Sequence, residues 1–317
     1  MSGETVAATA VRYAVRHETR YRYQRAVAHS HQQLHLTPRS GGHQRCLEHD
    51  IVISPTPAVC EQYLDAFGNT VTRFELDRPH EELEVIARMT VSLEPRLLPE
   101  PQEGEAWERV RERLMYRAQP CAAEWLDAMR FRCESPYVRI KRVLGDFMRD
   151  CLVEDASVCA VATALMDKVH AEFEYAPGAT EVATPLLQMF GQRRGVCQDF
   201  AHLMIACLRS CGLAARYVSG YLRVHPAPAL PEPAADTARQ SADASHAWVA
   251  VFAPPFGWLE FDPTNNLRVA QEHVTLAHGR DFGDVSPLRG VILGGGSHSL
   301  AVRVAVRPLE AVRRDGA

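Results

Sequence analysis

The chain has nine cysteines among its 317 residues but no Cys-x-x-Cys pair. They stand at 46, 60, 121, 133, 151, 159, 197, 207 and 211, an odd number without regular spacing. That excludes a zinc ribbon and a thioredoxin-like redox pair, and neither a metal nor a cofactor is expected. Unpaired thiols in this number fit a reducing compartment. No stretch approaches the roughly 18 apolar residues of a membrane span. Residues 1–8 carry neither a basic n-region nor a long apolar h-region. The reading is a cytoplasmic protein with no membrane partner. Charge of one sign is also scarce: 35 Lys+Arg against 39 Asp+Glu gives −4, with no nucleic-acid footprint. No D-x-[DN]-x-[DN]-G calcium loop and no internal repeat occur. Oligomeric state is not encoded in any of these features.

What is present is ordinary globular material, 46% hydrophobic, enough for one large domain or two modest ones. Residues from about 10 to 95 read as strands: Tyr13 to Tyr23, Leu47 to Ile53, Thr70 to Leu76 and Leu83 to Leu93. Pro38, Gly41-Gly42, Pro55, Pro57 and Gly68-Asn69 punctuate them. Pro95, Pro99 and Pro101 make a linker. The pattern then turns helical over Trp107 to Met115, Tyr137 to Cys151 and Ser157 to Phe173. A short helix, Thr184 to Phe190, follows. Ala215 to Val224 and Leu300 to Arg307 read as strands. Residues 225–240 are Pro- and Ala-rich without periodicity, either a lid or a passive insertion. The division expected is a β-rich domain at 1–95, a helical connection at 96–155 and a second domain at 156–317.

One segment carries chemistry. After Gly195-Val196, Cys197 opens a run in which Phe200, Leu203, Met204, Cys207, Leu208 and Cys211 recur at helical spacing. Gly212 stands where a C-cap glycine belongs. A thiol therefore sits in the first turn of a helix, where unpaired N–H groups and the macrodipole favour the thiolate. From this helix alone, a small apolar filler is the better reading.

The alternative gains weight downstream. Ser245 to Phe252 and Trp258 to Asp262 alternate like strands around the turn Ala253-Pro254-Pro255-Phe256-Gly257. A hairpin whose paired residue numbers sum to 508 sets His246 directly opposite Asp262. A sum of 510 makes them diagonal neighbours on one face, and an odd sum separates them. Opposed Cβ atoms lie about 4.5–5.5 Å apart, close enough for a carboxylate to hold an imidazole. Thiol, histidine and carboxylate are the parts of a nucleophile–base–orienter triad.

At these residues the chain resembles the transglutaminase-like superfamily, whose core is papain-like. The segments are GVCQDFAHLMIACLRSCGLAARYVSGYL from Gly195, SHAWVAVF from Ser245 and GWLEFDPTNN from Gly257. RHETRYRY from Arg16, LTPR from Leu36 and DAFGN from Asp65 resemble the β-rich N-terminal domain of its bacterial branch. GRDFGDVSPLRG from Gly279 resembles that branch's tail motif. The resemblance implies an α+β protein, with an N-terminal antiparallel β domain and a papain-like core whose nucleophile helix packs on an antiparallel sheet. It implies thioester chemistry at Cys197, assisted by His246 and Asp262, on a peptide or protein substrate. Hydrolysis, amine transfer and a non-enzymatic binding role all occur within the superfamily, and hydrolysis of a peptide or amide bond is the expected reaction.

Papain-like enzymes use an upstream amide as an oxyanion donor, and Gln192, five residues before Cys197, is the candidate; a plain surface glutamine is the simpler reading. Trp248 shares a face with His246 and either walls the site or packs in the core. His29, His31 and His35 share strand parity and could gather on a metal, though surface histidines suffice. His202 lies off the apolar stripe of the Cys197 helix and reads as structural. Asp199 suits the helix N-terminus but opposes a thiolate if it faces the sulfur.

Overall fold

The computed structural model describes residues 9–115, 120–223 and 245–309. The chain opens with five strands: β1 (Val11–Leu34), β2 (Gln44–Ser54), β3 (Val59–Leu64), β4 (Thr70–Leu76) and β5 (His80–Leu93). Helices α1 (Trp107–Arg113), α2 (Ala123–Met129), α3 (Arg142–Met148) and α4 (Val158–Glu172) follow. Next come β6 (Glu174–Tyr175), α5 (Leu186–Gln192), β7 (Arg194–Gly195) and α6 (Cys197–Ser210). The second sheet is built from β8 (Ala215–Leu222), β9 (His246–Phe252), β10 (Trp258–Asp262), β11 (Leu267–Arg268) and β12 (His273–Gly279). After α7 (Phe282–Val285), the strands β13 (Leu288–Gly294) and β14 (His298–Leu309) close the described chain.

The architecture is α+β. β1 is long enough to serve two neighbourhoods. Its first half pairs with β5 and β14, its second with β4 and β13, and the register shifts between Arg22 and Val27. Tyr13, Val15, Tyr23 and Val27 are buried, as period-two alternation requires; a register shift between Val27 and His29 then changes the parity, and Ser30, Gln32 and Leu34 turn inward. β13 and β14 thus join the first sheet, although they lie in the segment assigned by sequence to the second domain. Pairing between residues nearly 300 positions apart leaves no local signature.

The second sheet is antiparallel throughout, in the order β11-β10-β9-β8-β12. Its hairpin pairs Phe252 with Trp258 and Val249 with Phe261, so partners sum to 510 rather than 508. The turn is centred on Pro255, with Ala253 N–H donating to Gly257 O at 2.7 Å. His246 and Asp262 are diagonal neighbours as a result. Gly220, opposite His246 in β8, is demanded by close approach: a Cβ there would lie 2.0 Å from Val274 O and 2.5 Å from the Trp248 ring.

α6 lies against β8 and β9 and is enclosed by α3, α4 and α5. Every residue from Asp199 to Arg209 is buried, so the helix is wrapped rather than half exposed. Arg209 is accommodated by donating to the carbonyls of Phe131, Cys133, Ala215 and Arg280. The helix ends at Gly212, which has φ of 85° and donates to Arg209 O at 3.0 Å, while Leu213 N–H reaches Leu208 O at 3.0 Å.

The two sheets are fastened along β12, the edge of the second. Gln44 donates to Thr275 O and accepts from Thr275 N–H, at 2.7 and 2.8 Å. Asn69 does the same to His278, at 2.8 and 2.9 Å. Two amide side chains thereby occupy backbone groups that an exposed edge would leave open. Tyr221 OH bonds His17 Nδ1 at 2.9 Å across the same junction.

Candidate functional site

α6 starts where β7 ends, and Val196 is its N-cap in extended geometry. Asp199, three residues on, reaches back: its Oδ2 accepts from Val196 N–H at 2.9 Å and from Thr180 Oγ1 at 2.6 Å. The carboxylate is therefore spent on capping. Burial raises its pKa, opposed by those two hydrogen bonds. The N–H groups of Cys197 and Gln198, first in the helix, have no intrahelical acceptor.

Cys197 is half-buried and its thiol is hydrogen-bonded to His246, the first residue of β9. His246 Nε2 donates to Asp262 Oδ2 at 2.7 Å, which leaves Nδ1 as the ring atom for the thiol. Burial of His246 disfavours its charge, but the Asp262 carboxylate and the thiol bond outweigh that. Its pKa rises to about 10, so the ring is an imidazolium at neutral pH.

Asp262 is fully buried at the end of β10 and receives five donors. Oδ2 accepts from His246, from His273 Nε2 at 3.0 Å and from Asn265 Nδ2 at 2.7 Å. Oδ1 accepts from the backbone N–H groups of Thr264 and Asn265 at 3.0 and 3.2 Å. Burial alone would raise this carboxyl; His246 and His273 instead hold it well below the usual carboxylate range. Sequence reasoning missed His273 and Asn265. Asn265 was signalled by its place just after Asp262 in the Asp-Pro-Thr-Asn turn, where Asx side chains bond locally. His273 had no local signal, since β12 meets Asp262 only through the folded sheet.

The ring nitrogens of His246 and His273 and an Asp262 oxygen lie within 4.8 Å of one another, a set able to hold a divalent cation. A cation would have to replace both ring N–H protons that bond Asp262. His29 and His31 are exposed and His35 is buried with Nδ1 at 3.1 Å from Ser286 O, so the three do not gather. His202 is buried, stacked on Tyr137, and accepts from Phe282 N–H at 3.1 Å. Burial pushes its pKa down to about 4, with Asp281 opposing and Arg209 adding.

Two sequence expectations part from the geometry. Gln192 ends α5 with its side chain exposed and does not line the cavity at Cys197. Arg193 next to it takes a left-handed φ of 54° and turns the chain, which spacing alone could not reveal. Trp248 packs in the core beneath the site. It is wholly buried, with Nε1 donating to Glu260 Oε2 at 2.7 Å and its ring 6.0 Å from that of His246. The segment 225–240 lies outside the described residues.

The cavity itself is about 640 Å³ and opens over Cys197 and His246. Its apolar wall includes Tyr175, Val196, Tyr217, Leu222, Leu267 and Phe282, and Arg223 and Glu272 supply charge. Such a volume accommodates a side chain and its flanking peptide units.

A thiol at a helix N-terminus, facing a histidine on an antiparallel sheet, is the arrangement of the papain-like folds. More narrowly, the chain belongs to the transglutaminase-like superfamily. Residues 148–263 match that superfamily and residues 13–92 match the bacterial transglutaminase-like N-terminal region. An uncharacterized protein of Mycobacterium tuberculosis is 34% identical over 94% of this chain and 93% of its own length. One from Mycobacterium leprae is 32% identical over 94% and 99%. A protein-glutamine gamma-glutamyltransferase of Pseudomonas aeruginosa is 30% identical over 52% of this chain but only 25% of itself. Among solved structures, a candidate cysteine protease from Cytophaga hutchinsonii superposes with a TM-score of 0.74 at 20% identity, over 96% of this chain and 92% of that one.

Proposed function

We propose that the chain is a thiol-dependent acyl-transfer enzyme acting on peptide or amide bonds, with Cys197, His246 and Asp262 as its triad and water as the usual acceptor. The observation that carries this reading is the hydrogen bond between the Cys197 sulfur and a His246 ring that Asp262 locks in place, at the wall of a cavity. A filler cysteine needs neither the histidine nor a carboxylate with five donors.

In this reading Cys197 attacks as the thiolate of a thiolate–imidazolium pair. The new S–C bond forms as the carbonyl electrons move to oxygen. The tetrahedral adduct collapses, the C–N bond breaks, and His246 gives its Nδ1 proton to the departing amine. His246 then takes a proton from water as that water attacks the thioester; the C–S bond breaks, the acid departs and the Cys197 thiolate beside the charged ring is restored. Asp262 keeps Nε2 protonated and stabilises the charged ring throughout. The substrate is a peptide or protein side chain or backbone amide, and the nine free cysteines fit a cytoplasmic setting.

Amine transfer is the second reading, favoured by the name of the Pseudomonas relative. Mass spectrometry of the full chain and of Cys197→Ala, incubated with glutamine-bearing peptides with and without a labelled primary amine, separates the two. An acyl adduct on Cys197 with deamidation or cleavage exceeding amine incorporation at millimolar amine is expected. Faster incorporation, lost in Cys197→Ala, would make the chain a transglutaminase. No adduct with any peptide would leave a binding role.

A further inference from the structure

An acyl transfer at Cys197 passes through a tetrahedral adduct whose former carbonyl oxygen bears negative charge. Two fixed donors usually hold such an oxygen. One is already present: the N–H of Cys197, first in α6, has no helical acceptor. Gln192 does not reach the cavity, so the second donor must come from elsewhere in its wall.

Several polar groups of that wall are engaged. Gln198 Nε2 donates to Val182 O at 3.3 Å, and Asn265 Nδ2 is held by Asp262 at 2.7 Å. Thr264 gives its N–H to Asp262, and its hydroxyl, though without a partner among the described residues, is buried out of contact with solvent. Ser219 and Ser245 carry short side chains that keep their hydroxyls close to the wall. Tyr217 differs. It comes from the interior strand β8, between Val249 and Gly279 of its neighbours, on the face turned to α6. Its ring is wedged 5.1 Å from His202 and 6.4 Å from Phe282, and it is only 2% exposed. It lines the cavity beside Cys197, and no group among the described residues hydrogen-bonds its hydroxyl. A buried phenol with no partner among the described residues, in the wall of a cavity, has a hydrogen bond to give.

We propose that the Tyr217 hydroxyl, with the Cys197 N–H, forms the oxyanion hole of the acyl-transfer site; this inference rests on the function proposed above. The phenol keeps its proton throughout and donates a hydrogen bond to the oxygen as the carbonyl electrons move onto it. When the adduct collapses and the C=O bond re-forms, that bond weakens. Burial, reinforced by negative charge at Cys197, Asp199 and Asp281, pushes the phenol well above its ordinary pKa, so it remains a donor at every working pH. The rigid ring contacts fix the hydroxyl before the reaction begins, as preorganised stabilisation requires.

The test compares two reactions of one thiol in the full chain and in Tyr217→Phe, which keeps the ring packing. Iodoacetamide alkylates Cys197 by displacement and creates no oxyanion. p-Nitrophenyl acetate acylates it through a tetrahedral adduct. Rates are taken in single turnover after subtracting the Cys197→Ala background. Tyr217→Phe should lower acylation by about 10²-fold and leave alkylation within about twofold. Acylation at the wild-type rate would overturn the assignment. Equal slowing of both reactions would also overturn it, placing Tyr217 in thiol ionisation or in packing. A wild-type chain acylated no faster than Cys197→Ala would defeat the acyl-transfer reading itself, and Tyr217's role with it.

Discussion

His246 and His202 invite comparison because both rings are enclosed around α6, yet one is charged at neutral pH and the other is not. His246 rises to about 10 and His202 falls to about 4. Burial pushes both downward. The difference lies in the partner: His246 donates to Asp262 at 2.7 Å, whereas His202 accepts a backbone N–H and feels Asp281 only at a distance and Arg209 against it. A carboxylate in direct contact outweighs desolvation; one further off does not. Asp262 can do this because its own burial is compensated by five donors, leaving no lone pair to claim a proton.

The most forceful way to break the contrast is Asp262→Asn. His246 should then become a neutral ring like His202, and acylation of Cys197 by p-nitrophenyl acetate should fall by roughly 10³–10⁴-fold. Activity within tenfold of wild type would show that the carboxylate does not set the histidine's charge.

A pH series of urea unfolding sharpens it. His246 has a folded pKa above the 6.5 of the unfolded chain, so its stabilisation is complete below pH 6.5 and is lost as pH rises towards about 10. His202 has the reverse sign: stability is lost as pH falls from 6.5 towards about 4. Asp262→Asn should remove the alkaline fall that His246 causes. His202→Gln should reduce the acid fall without abolishing it, because burial also holds His17 down to about 4. An unchanged acid limb in His202→Gln would contradict its neutral state. The smallest effect is expected for Gln192→Ala, an exposed side chain away from the cavity: acylation should stay within about twofold of wild type. A hundredfold loss there would return Gln192 to the oxyanion hole.

Those expectations also mark where the sequence was readable. Cys197, His246 and Asp262 could be found because each sits in a short element with its own period and turn, and the hairpin kept the last two on one face. The bounds of β4, Thr70–Leu76, and the stop at Gly212 were legible for the same reason. The register sum was not, because the turn could be centred on Pro254 or Pro255 and only packing chooses. β12 and His273 escaped because their meaning is set by strand order, not by neighbours along the chain. β13 and β14 were misassigned to the second domain for the same cause. Gln192 failed on a single left-handed residue, Arg193, whose φ of 54° no composition rule foretells.

The clasp of Gln44 on Thr275 and of Asn69 on His278 makes the two halves of the molecule interdependent in a further sense. β12 carries His273, and His273 braces the carboxylate that charges His246. Without those two amide side chains, β12 would present open backbone groups along the very strand that holds His273 against Asp262. The surroundings of Cys197 are in that sense completed from outside their own sheet, because the first sheet secures the strand whose histidine steadies Asp262.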